Sequence, residues 1–490
     1  MPSWGPSGIG SERRNVERRT RQEEGGDMTN LEQSVDMRWR VPGQWRMFGF
    51  IGPAAMVSVG YMDPGNWATD LEGGARFGYQ LLWVLLASNV IAVLLQSLAA
   101  RLGIVGRLDL AQACRAGYSR PVSLSLWVLC ELAIIACDLA ELLGSAIALN
   151  MLFGIPLIWG VVITAFDVML IMVLQHYGIR KLEAVVAALV LTIGVCMAIE
   201  MVLVQPVLGD IVGGLVPKID ANSLLVAIGI LGATVMPHNL YLHSSLVQTR
   251  RISHTPAGQR EAIRYNFVDT LLALNIAFII NASILVLSAS TFFTHGIEVN
   301  ELQQAHTLLT PLVGTTLAAT VFAIALLAAG QSSTLTGTLA GQVVMEGFLS
   351  LRMSPLARRL LTRGLAIVPA VGVLAYQGDS GVLQLLILSQ VVLSLQLPFA
   401  IVPLVRFTSD RQLMGQFASP TWVRVAAWSA AAGIVSLNAW LVWRTLTAGS
   451  SGGAPWYAYL LVGSLTTLLL WISCVPLKLS APVALEESRA

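Results

Sequence analysis

The sequence predicts an all-α membrane protein that crosses the bilayer many times. Of its 490 residues, 55% are hydrophobic and only 12% are charged, whereas soluble domains carry about twice that charged fraction. Runs such as 81–100 and 456–475 are apolar and long enough to cross a hydrocarbon core of about 30 Å. A transmembrane β-barrel would show short alternating segments instead.

Hydropathy predicts about twelve spans. The predicted spans cover residues 47–69, 79–102, 122–149, 156–176, 183–204, 223–249, 262–291, 309–345, 359–376, 382–406, 422–445 and 456–476. Lys and Arg concentrate in the segment before the first span and in every second connection. By the positive-inside rule, this alternation predicts an even number of spans and two cytoplasmic termini.

The first and sixth spans contain helix-breaking polar motifs where continuous apolar helix is expected. The motifs are Asp63-Pro64-Gly65-Asn66 and Met236-Pro237-His238-Asn239. Each proline removes a backbone donor and so frees carbonyl groups, around Gly60 in the first motif and around Ala233 in the second. Charge and broken backbone at this depth are tolerated mainly where they line a cavity. The two motifs therefore predict one binding site.

The two broken spans are five spans apart, and a repeated unit of five crossings must be inverted. Inverted repeats with interrupted helices are typical of one broad class of secondary transporters. We therefore expect a first repeat at 46–205, a second repeat at 206–407, and two additional spans at 408–477. Cytoplasmic tails would occupy 1–45 and 478–490. The first tail lacks a signal-peptide core and is expected to be disordered, and its arginines indicate no nucleic-acid site.

The donor types at the two motifs favour a transition metal. Asp63 supplies a hard anionic oxygen, Asn66 a neutral oxygen and Met236 a soft sulfur. Oxygen-only sites suit Mg²⁺ and Ca²⁺, while sulfur favours softer ions, so Mn²⁺ or Fe²⁺ is the expected guest. Taken alone, Met236 would be interpreted as core packing, whereas a carboxylate within a span is functional by default.

Several stretches resemble the Nramp family of proton-coupled divalent metal transporters, and the bacterial manganese-transporter branch in particular. The resemblance covers roughly residues 45–475. Its motifs are Gly60-Tyr61-Met62-Asp63-Pro64-Gly65-Asn66, Met236-Pro237-His238-Asn239-Leu240-Tyr241-Leu242-His243-Ser244, Asp138-Leu139-Ala140-Glu141, Gly330-Gln331-Ser332-Ser333, Ser389-Gln390-Val391 and Gln396-Leu397-Pro398-Phe399. Cys137 stands where the family more often has Thr.

The resemblance implies a LeuT-like fold of two inverted five-helix repeats followed by two extra helices. It implies that Asp63, Asn66 and Met236 are metal ligands, that the Ala233 carbonyl joins them in the inward-facing state, and that Gln390 approaches the metal in occluded states. Relatives that carry magnesium or aluminium lack the methionine. Met236 is therefore expected to select for transition metals.

Buried acids and arginines suggest a proton route. Asp138 and Glu141 share one face of the third span, and Arg358, Arg359 and Arg363 open the ninth. These groups could form a structural salt-bridge network or a proton relay. The resemblance favours a relay that begins near Asp63 and His238.

Other polar residues of the spans leave several roles open. His238 could be a metal ligand, a proton acceptor or a gate residue, and the resemblance favours the last two. His243 could take part in gating or simply form a hydrogen bond. Gln96 and Asn281 are as consistent with hydrogen bonding between helices as with gating.

These observations together predict a secondary active importer with protons as the coupling ion. Its substrates would be Mn²⁺ and, more broadly, Fe²⁺, Cd²⁺, Co²⁺ and Zn²⁺. We expect a monomer in a bacterial inner membrane, with no resident cofactor and no enzymatic activity. The alternatives are a Na⁺-coupled amino-acid or small-solute symporter of the same fold class, and a membrane metalloenzyme. The second alternative would require a fuller ligand set such as HExxH, which is absent from the sequence.

Overall fold

The computed structural model describes most of the predicted membrane region. The described residues are 35–36, 47, 49–166, 178–218, 220, 222–253, 255–299, 301–351, 353–448 and 456–477. Apart from Val35–Asp36, the predicted tails lie outside the described residues, as does the second half of the predicted span 156–176. The disorder of the tails, the repeat boundaries and the total of twelve spans therefore stay predictions.

The described chain is almost entirely helical. Its helices are α1 (Pro53–Ser58), α2 (Pro64–Phe77), α3 (Leu82–Arg101), α4 (Leu110–Gly117), α5 (Arg120–Phe153), α6 (Leu157–Ala165), α7 (Ile179–Val204), α8 (Leu208–Gly214), α9 (Leu224–Thr234), α10 (Pro237–Leu246), α11 (Pro256–Thr291), α12 (Leu302–Val313), α13 (Thr316–Leu349), α14 (Pro355–Gln377), α15 (Val382–Ser409), α16 (Arg411–Met414), α17 (Thr421–Ala448) and α18 (Trp456–Cys474). Within the described ranges, strands β1 (Val35–Asp36) and β2 (Arg250–Arg251) form a short parallel pair.

Most predicted spans are present as long apolar helices. Within the described ranges, 9 helical segments are long and apolar enough to cross a membrane. They account for nine of the twelve predicted spans. The exceptions are the first, which is broken into α1 and α2, the fourth, which is described only in part, and the last. The last is represented by the shorter apolar helix Val462–Cys474. The predicted all-α, polytopic class is therefore confirmed.

The helices differ in how far the protein covers them. In the most apolar part of each segment, 89% of the residues in Leu224–Thr249 and 83% of those in Arg120–Phe153 are buried, against 22% in Ala357–Gln377. The broken helix α9–α10 and the long helix α5 therefore form the centre of the bundle, while α14 lies at its periphery. This arrangement places the polar motifs of the broken spans away from lipid.

One predicted span is wrong in outline, because residues 309–345 belong to two helices. Helix α12 ends at Val313 and is followed by Gly314, whose φ of 82° is left-handed, and α13 begins after Thr315. The Thr315 hydroxyl accepts the Leu317 N–H at 3.2 Å and so caps α13. A left-handed residue at a helix end favours glycine. Apolar residues continue on both sides of this turn, which is why hydropathy alone joined the two helices.

Both predicted helix breaks are confirmed. A 3₁₀ turn at Val59–Met62 precedes an extended Asp63, with φ −65° and ψ 165°, and α2 then begins at Pro64. In the sixth span, Met236 is extended, with φ −76° and ψ 124°, and α10 begins at Pro237. Proline suits the first helical position because no intrahelical bond needs its missing N–H there.

Candidate metal-binding site and its polar networks

Asp63 and Asn66 form the centre of the first break. The Asp63 carboxylate caps α2, since its Oδ1 accepts the Asn66 backbone N–H at 2.8 Å and the Asn66 side-chain amide at 2.7 Å. Both residues are fully buried, and Asp63 Oδ2 has no hydrogen-bond partner within the described structure. A buried, unpartnered carboxylate oxygen is costly. This oxygen is therefore available to a cation.

The Asn66 amide joins the two breaks. Its Nδ2 lies 3.3 Å from the Gly60 carbonyl oxygen and 3.0 Å from the Ala233 carbonyl oxygen. Each carbonyl lies four residues before a proline, Pro64 or Pro237, which has no N–H to donate back to it. The helix breaks thus supply two free backbone acceptors, and they meet at one side chain.

Met236 brings sulfur to the same place. Its side chain is fully buried, and a Cβ placed on Gly60 would lie 3.2 Å from its Sδ. The same Cβ would lie 2.3 Å from the Asn239 amide nitrogen, so this close approach of the two breaks requires glycine. Asn239 Nδ2 also reaches the Val57 carbonyl at 3.4 Å.

Gln390 of α15 closes over the first break from the other side. A Cβ placed on Gly65 would lie 1.7 Å from Gln390 Nε2, so the amide packs directly on the Gly65 backbone. That amide donates to Ser389 Oγ at 3.0 Å, while Gln390 Oε1 is buried and has no partner within the described structure. The structure therefore brings together all five predicted ligands: Asp63, Asn66, Ala233, Met236 and Gln390.

The two acids of α5 share one arginine. Arg359 contacts Asp138 Oδ1 and lies 3.2 Å from Glu141 Oε2. The Ser333 hydroxyl donates to Glu141 Oε1 at 2.9 Å. Arg363 donates to the Asp138 backbone carbonyl at 3.2 Å. The predicted pairing of these acids with arginines of span 9 is thus present, in a fully buried setting.

A second ion pair continues this network along α5. Arg358 Nη2 lies 2.9 Å from Glu131 Oε1. Two glycines of α13 make room for the charged groups, since a Cβ on Gly341 would lie 1.8 Å from Arg358 Nη1 and one on Gly337 would lie 2.7 Å from Glu141 Oε1. The arginines and acids therefore form a continuous charged row between α5, α13 and α14.

Cys137 connects this row to the second break. Its sulfur lies 3.5 Å from Glu141 Oε1 and 3.8 Å from His238 Nε2, while His238 Nδ1 has no partner within the described structure. Sequence reasoning gave Cys137 no role, although its position four residues before Glu141 places both on one helix face. The Cys137 thiol therefore lies between His238 and Glu141 of the charged row.

The residues predicted as possible gates meet beside the first break. His243 Nδ1 lies 2.9 Å from Gln96 Oε1, and the Gln96 amide donates to the Tyr61 hydroxyl at 2.9 Å. Asn281 donates to the Tyr61 carbonyl at 2.5 Å and lies 3.4 Å from Asn66 Oδ1. These contacts tie α3, α10 and α11 to the break. Tyr61 was not singled out from the sequence.

Ion pairs close one end of the bundle around the chain that leads into α1. Arg250 Nη2 lies 2.7 Å from Glu183 Oε1, and Arg180 Nη1 lies 3.0 Å from Glu183 Oε2. Both arginines donate to backbone carbonyls within 49–54. Asp269 accepts two backbone N–H groups of the same segment, at 3.3 and 3.0 Å. Sequence reasoning missed this cluster, although Asp269 is a carboxylate within a predicted span.

The opposite end of the bundle contains a cavity of about 740 Å³. Its charged lining residues are Glu72, Arg76 and Glu298, and Arg76 Nη1 lies 2.5 Å from Glu72 Oε1. The lining reaches Ile387, which precedes Gln390 by three residues on α15. Gln390, which rests on Gly65, therefore lies about one helical turn along α15 from a residue that lines this cavity.

Proteins named as divalent metal cation transporters match most of the chain. A family model described as natural resistance-associated macrophage protein-like (Nramp) matches residues 54–444. The divalent metal cation transporter MntH of Xylella fastidiosa is 59% identical over 403 residues, which are 81% of this chain and 85% of that protein. The MntH protein of Listeria monocytogenes is 56% identical over 407 residues, which are 82% of this chain and 91% of that protein.

Solved structures show the same relationship. The crystal structure of a mutant of the Eremococcus coleocola manganese transporter matches with a TM-score of 0.84 and 36% identity, and the match covers 91% of this chain and 98% of that one. A nucleobase-cation-symport-1 family transporter, at a TM-score of 0.56 and 17% identity, shares the fold alone. The predicted LeuT-like fold is confirmed. The chain belongs to the Nramp family and is a multi-pass membrane transporter of metal ions.

Proposed function

We propose that the protein is a proton-coupled importer of Mn²⁺ that works by alternating access. Fe²⁺, Cd²⁺, Co²⁺ and Zn²⁺ would be further substrates. The observation that carries the proposal is the meeting of two helix breaks at Asn66, next to an unpartnered oxygen of Asp63 and the sulfur of Met236. The relatives named as manganese or divalent metal cation transporters support the same substrate class.

The donor set favours a divalent transition metal over other cations. Asp63 contributes the negative charge, the Ala233 carbonyl and the amides of Asn66 and Gln390 contribute neutral oxygens, and Met236 contributes sulfur. A thioether contributes little to the binding of Na⁺, Mg²⁺ or Ca²⁺, whereas it favours the softer first-row transition metals. Within the described residues, no group of three His, Cys, Asp or Glu side chains is arranged to hold a metal. The proposed site thus depends on the amide, carbonyl and thioether donors.

The charged row on α5 supports the proton-coupled half of the proposal. Asp138 and Glu141 share Arg359, and Glu141 approaches His238 through Cys137. A proton released near Asp63 on metal binding would pass by way of His238 to these acids. Proton movement during metal uptake distinguishes this relay from a purely structural salt-bridge network.

The two ends of the bundle support alternating access. The cluster of Arg180, Glu183, Arg250 and Asp269 closes the arginine-rich end, while the cavity lined by Glu298 opens at the other end. A cation would enter from the cavity and leave when the ion pairs around α1 separate. We propose that the arginine-rich end is cytoplasmic, that both termini lie there, and that a monomer in the inner membrane carries out transport without enzymatic chemistry.

Uptake into proteoliposomes tests the proposal. Mn²⁺, Fe²⁺, Cd²⁺, Mg²⁺ and Ca²⁺ are offered in parallel while internal pH is recorded, with and without a Na⁺ gradient. We expect Mn²⁺ uptake with internal acidification, and loss of both in Asp63→Ala. The exposed carboxylate variant Asp210→Ala is the matched control. Retained uptake in Asp63→Ala would remove Asp63 from the site, and uptake that requires Na⁺ would favour the symporter alternative.

A further inference from the structure

A second cavity lies at the arginine-rich end, where α15, α17 and the segment after α18 meet. Its volume is about 440 Å³, and Arg406, Ser409, Arg424, Trp428 and Leu477 are among its lining residues. Arg406 follows Gln390 by 16 residues on α15, which corresponds to about 24 Å along a helix. The cavity is therefore separate from the metal site.

Close packing places this cavity at the end of the bundle that carries Arg250. A Cβ on Gly106 would lie 3.8 Å from Leu413 of α16, and one on Gly103 would lie 2.1 Å from the Ser244 carbonyl of α10. Ser244 precedes Arg250 by six residues. The connection between α15 and α17 thus lies beside the closed end, where basic residues concentrate.

The two arginines of the cavity have neutral hydrogen-bond partners. Arg406 donates to the backbone carbonyls of Ile472 and Val475 at the end of α18. Arg424 is exposed and donates to Thr421 Oγ1 at 3.3 Å. Neither forms an ion pair within the described part of the chain. Their positive charges are therefore available to an anion.

A buried hydroxyl adds a third donor. Ser409 Oγ is buried and has no hydrogen-bond partner within the described structure. The lining also contains one carboxylate, Asp410, whose Oδ1 accepts the Gln412 N–H at 2.7 Å, so the two arginines outnumber the negative charge. Two guanidinium groups and a hydroxyl at one cavity are donors of the kind that a phosphate group accepts from.

The remaining lining is suited to a lipid. Trp428 is 38% exposed, and Trp422, at the start of α17, is 70% exposed. Tryptophans at this level of a membrane protein are typical of the interface between headgroups and acyl chains. The apolar side chains of Leu477 and Val405 also line the cavity. An acyl chain could therefore lie against α17 while its phosphate stays in the cavity.

We propose that this cavity binds the headgroup phosphate of an anionic phospholipid from the leaflet at the arginine-rich end. With this end on the cytoplasmic side, as proposed above, the site is of the kind that holds such headgroups in basic pockets between transmembrane helices. The bound phosphate bridges Arg424 of α17 to Arg406 and Ser409 of α15. It thereby ties the helices that follow the second repeat to the helix that carries Gln390.

Native mass spectrometry of the full-length protein in detergent tests the proposal. The protein is titrated with phosphatidylglycerol, phosphatidylcholine or inorganic phosphate, and retained molecules are counted. We expect one tightly retained phosphatidylglycerol. Its affinity should fall about fivefold in Arg424→Gln, since one arginine near the membrane surface contributes about 1 kcal/mol, and should also fall in Ser409→Ala.

Arg411→Gln is the matched control, because Arg411 is exposed on the same connection but does not line the cavity. We expect it to retain phosphatidylglycerol as the unsubstituted protein does. Equal loss in Arg411→Gln and Arg424→Gln would show general charge attraction and overturn the proposal. Equal retention of phosphatidylcholine, or displacement of the lipid by inorganic phosphate at similar concentration, would also overturn it.

Discussion

Met236 allows a direct test of why the site takes transition metals. Its side chain is fully buried and packs in a small cluster with Ala133, Cys137 and Leu393. It therefore combines two properties, apolar volume and a soft sulfur. Met236→Ala removes both, whereas Met236→Leu removes the sulfur and keeps the volume.

The two substitutions are expected to differ in their effect on stability, but both remove the sulfur donor from the site. The alanine variant leaves a void in a cluster without solvent contact, which costs about 2–5 kcal/mol of unfolding free energy, whereas a Met-to-Leu exchange costs less than about 1.5 kcal/mol. In both variants only oxygen donors remain, and these suit Ca²⁺ and Mg²⁺. We therefore expect both ions to inhibit Mn²⁺ uptake at concentrations lower by about tenfold, which corresponds to 1.4 kcal/mol.

The assay is Mn²⁺ uptake into proteoliposomes with increasing Ca²⁺ or Mg²⁺, together with thermal unfolding of the same preparations. We expect the two variants to differ in thermal stability but to show the same inhibition of Mn²⁺ uptake by Ca²⁺ and Mg²⁺. If Met236→Leu excludes Ca²⁺ and Mg²⁺ as well as the unsubstituted protein does, the sulfur does not set selectivity. If only Met236→Ala admits them, the shape of the site is responsible.

Three further substitutions test other parts of the structure. Arg359→Gln leaves two buried acids without their shared guanidinium, so we expect a loss of about 3–5 kcal/mol in unfolding free energy. We also expect no metal-driven acidification, and acidification that persists would exclude the relay. Gly144→Ala places a Cβ 2.1 Å from Pro64 Cβ, and we expect overpacking to cost about 1–3 kcal/mol in thermal unfolding. Gly364→Ala, with open space around it, is its control, and equal stability would contradict the packing argument. Arg250→Gln removes an ion pair from the closed end, so hydrogen exchange in α1 should accelerate; unchanged exchange would show that this pair does not hold the end closed.

Local chemistry explains which features the sequence could predict. Proline, glycine and a carboxylate within apolar segments are costly in a membrane, so the breaks at Asp63 and Met236 were evident without a structure. The structure confirms both positions, and it brings the five predicted ligands together. Their roles as ligands stay predictions, because geometry does not measure metal binding.

Features that depend on distant parts of the chain escaped sequence reasoning. The closed end joins Glu183 to Arg250 and to the segment 49–54, and no local pattern reports such pairing. The turn at Gly314 was hidden because apolar residues flank it on both sides. Cys137 looked like a small apolar substitution, and its contacts with Glu141 and His238 appear only when α5 packs against the second break.

The contacts of Asn66 indicate how a bound cation would change the contacts of both helix breaks. Its Nδ2 faces three acceptors, namely Asp63 Oδ1 at 2.7 Å, the Gly60 carbonyl at 3.3 Å and the Ala233 carbonyl at 3.0 Å. An amide nitrogen has only two hydrogens to share among them. If a divalent cation binds here as proposed, it would attract all three oxygens and replace the N–H groups, and Asn66 would have to turn its own oxygen inward. Because Gly60 and Ala233 belong to different breaks, that exchange would alter a contact between the two breaks, and such a difference in contacts is what a substrate needs to shift a conformational equilibrium.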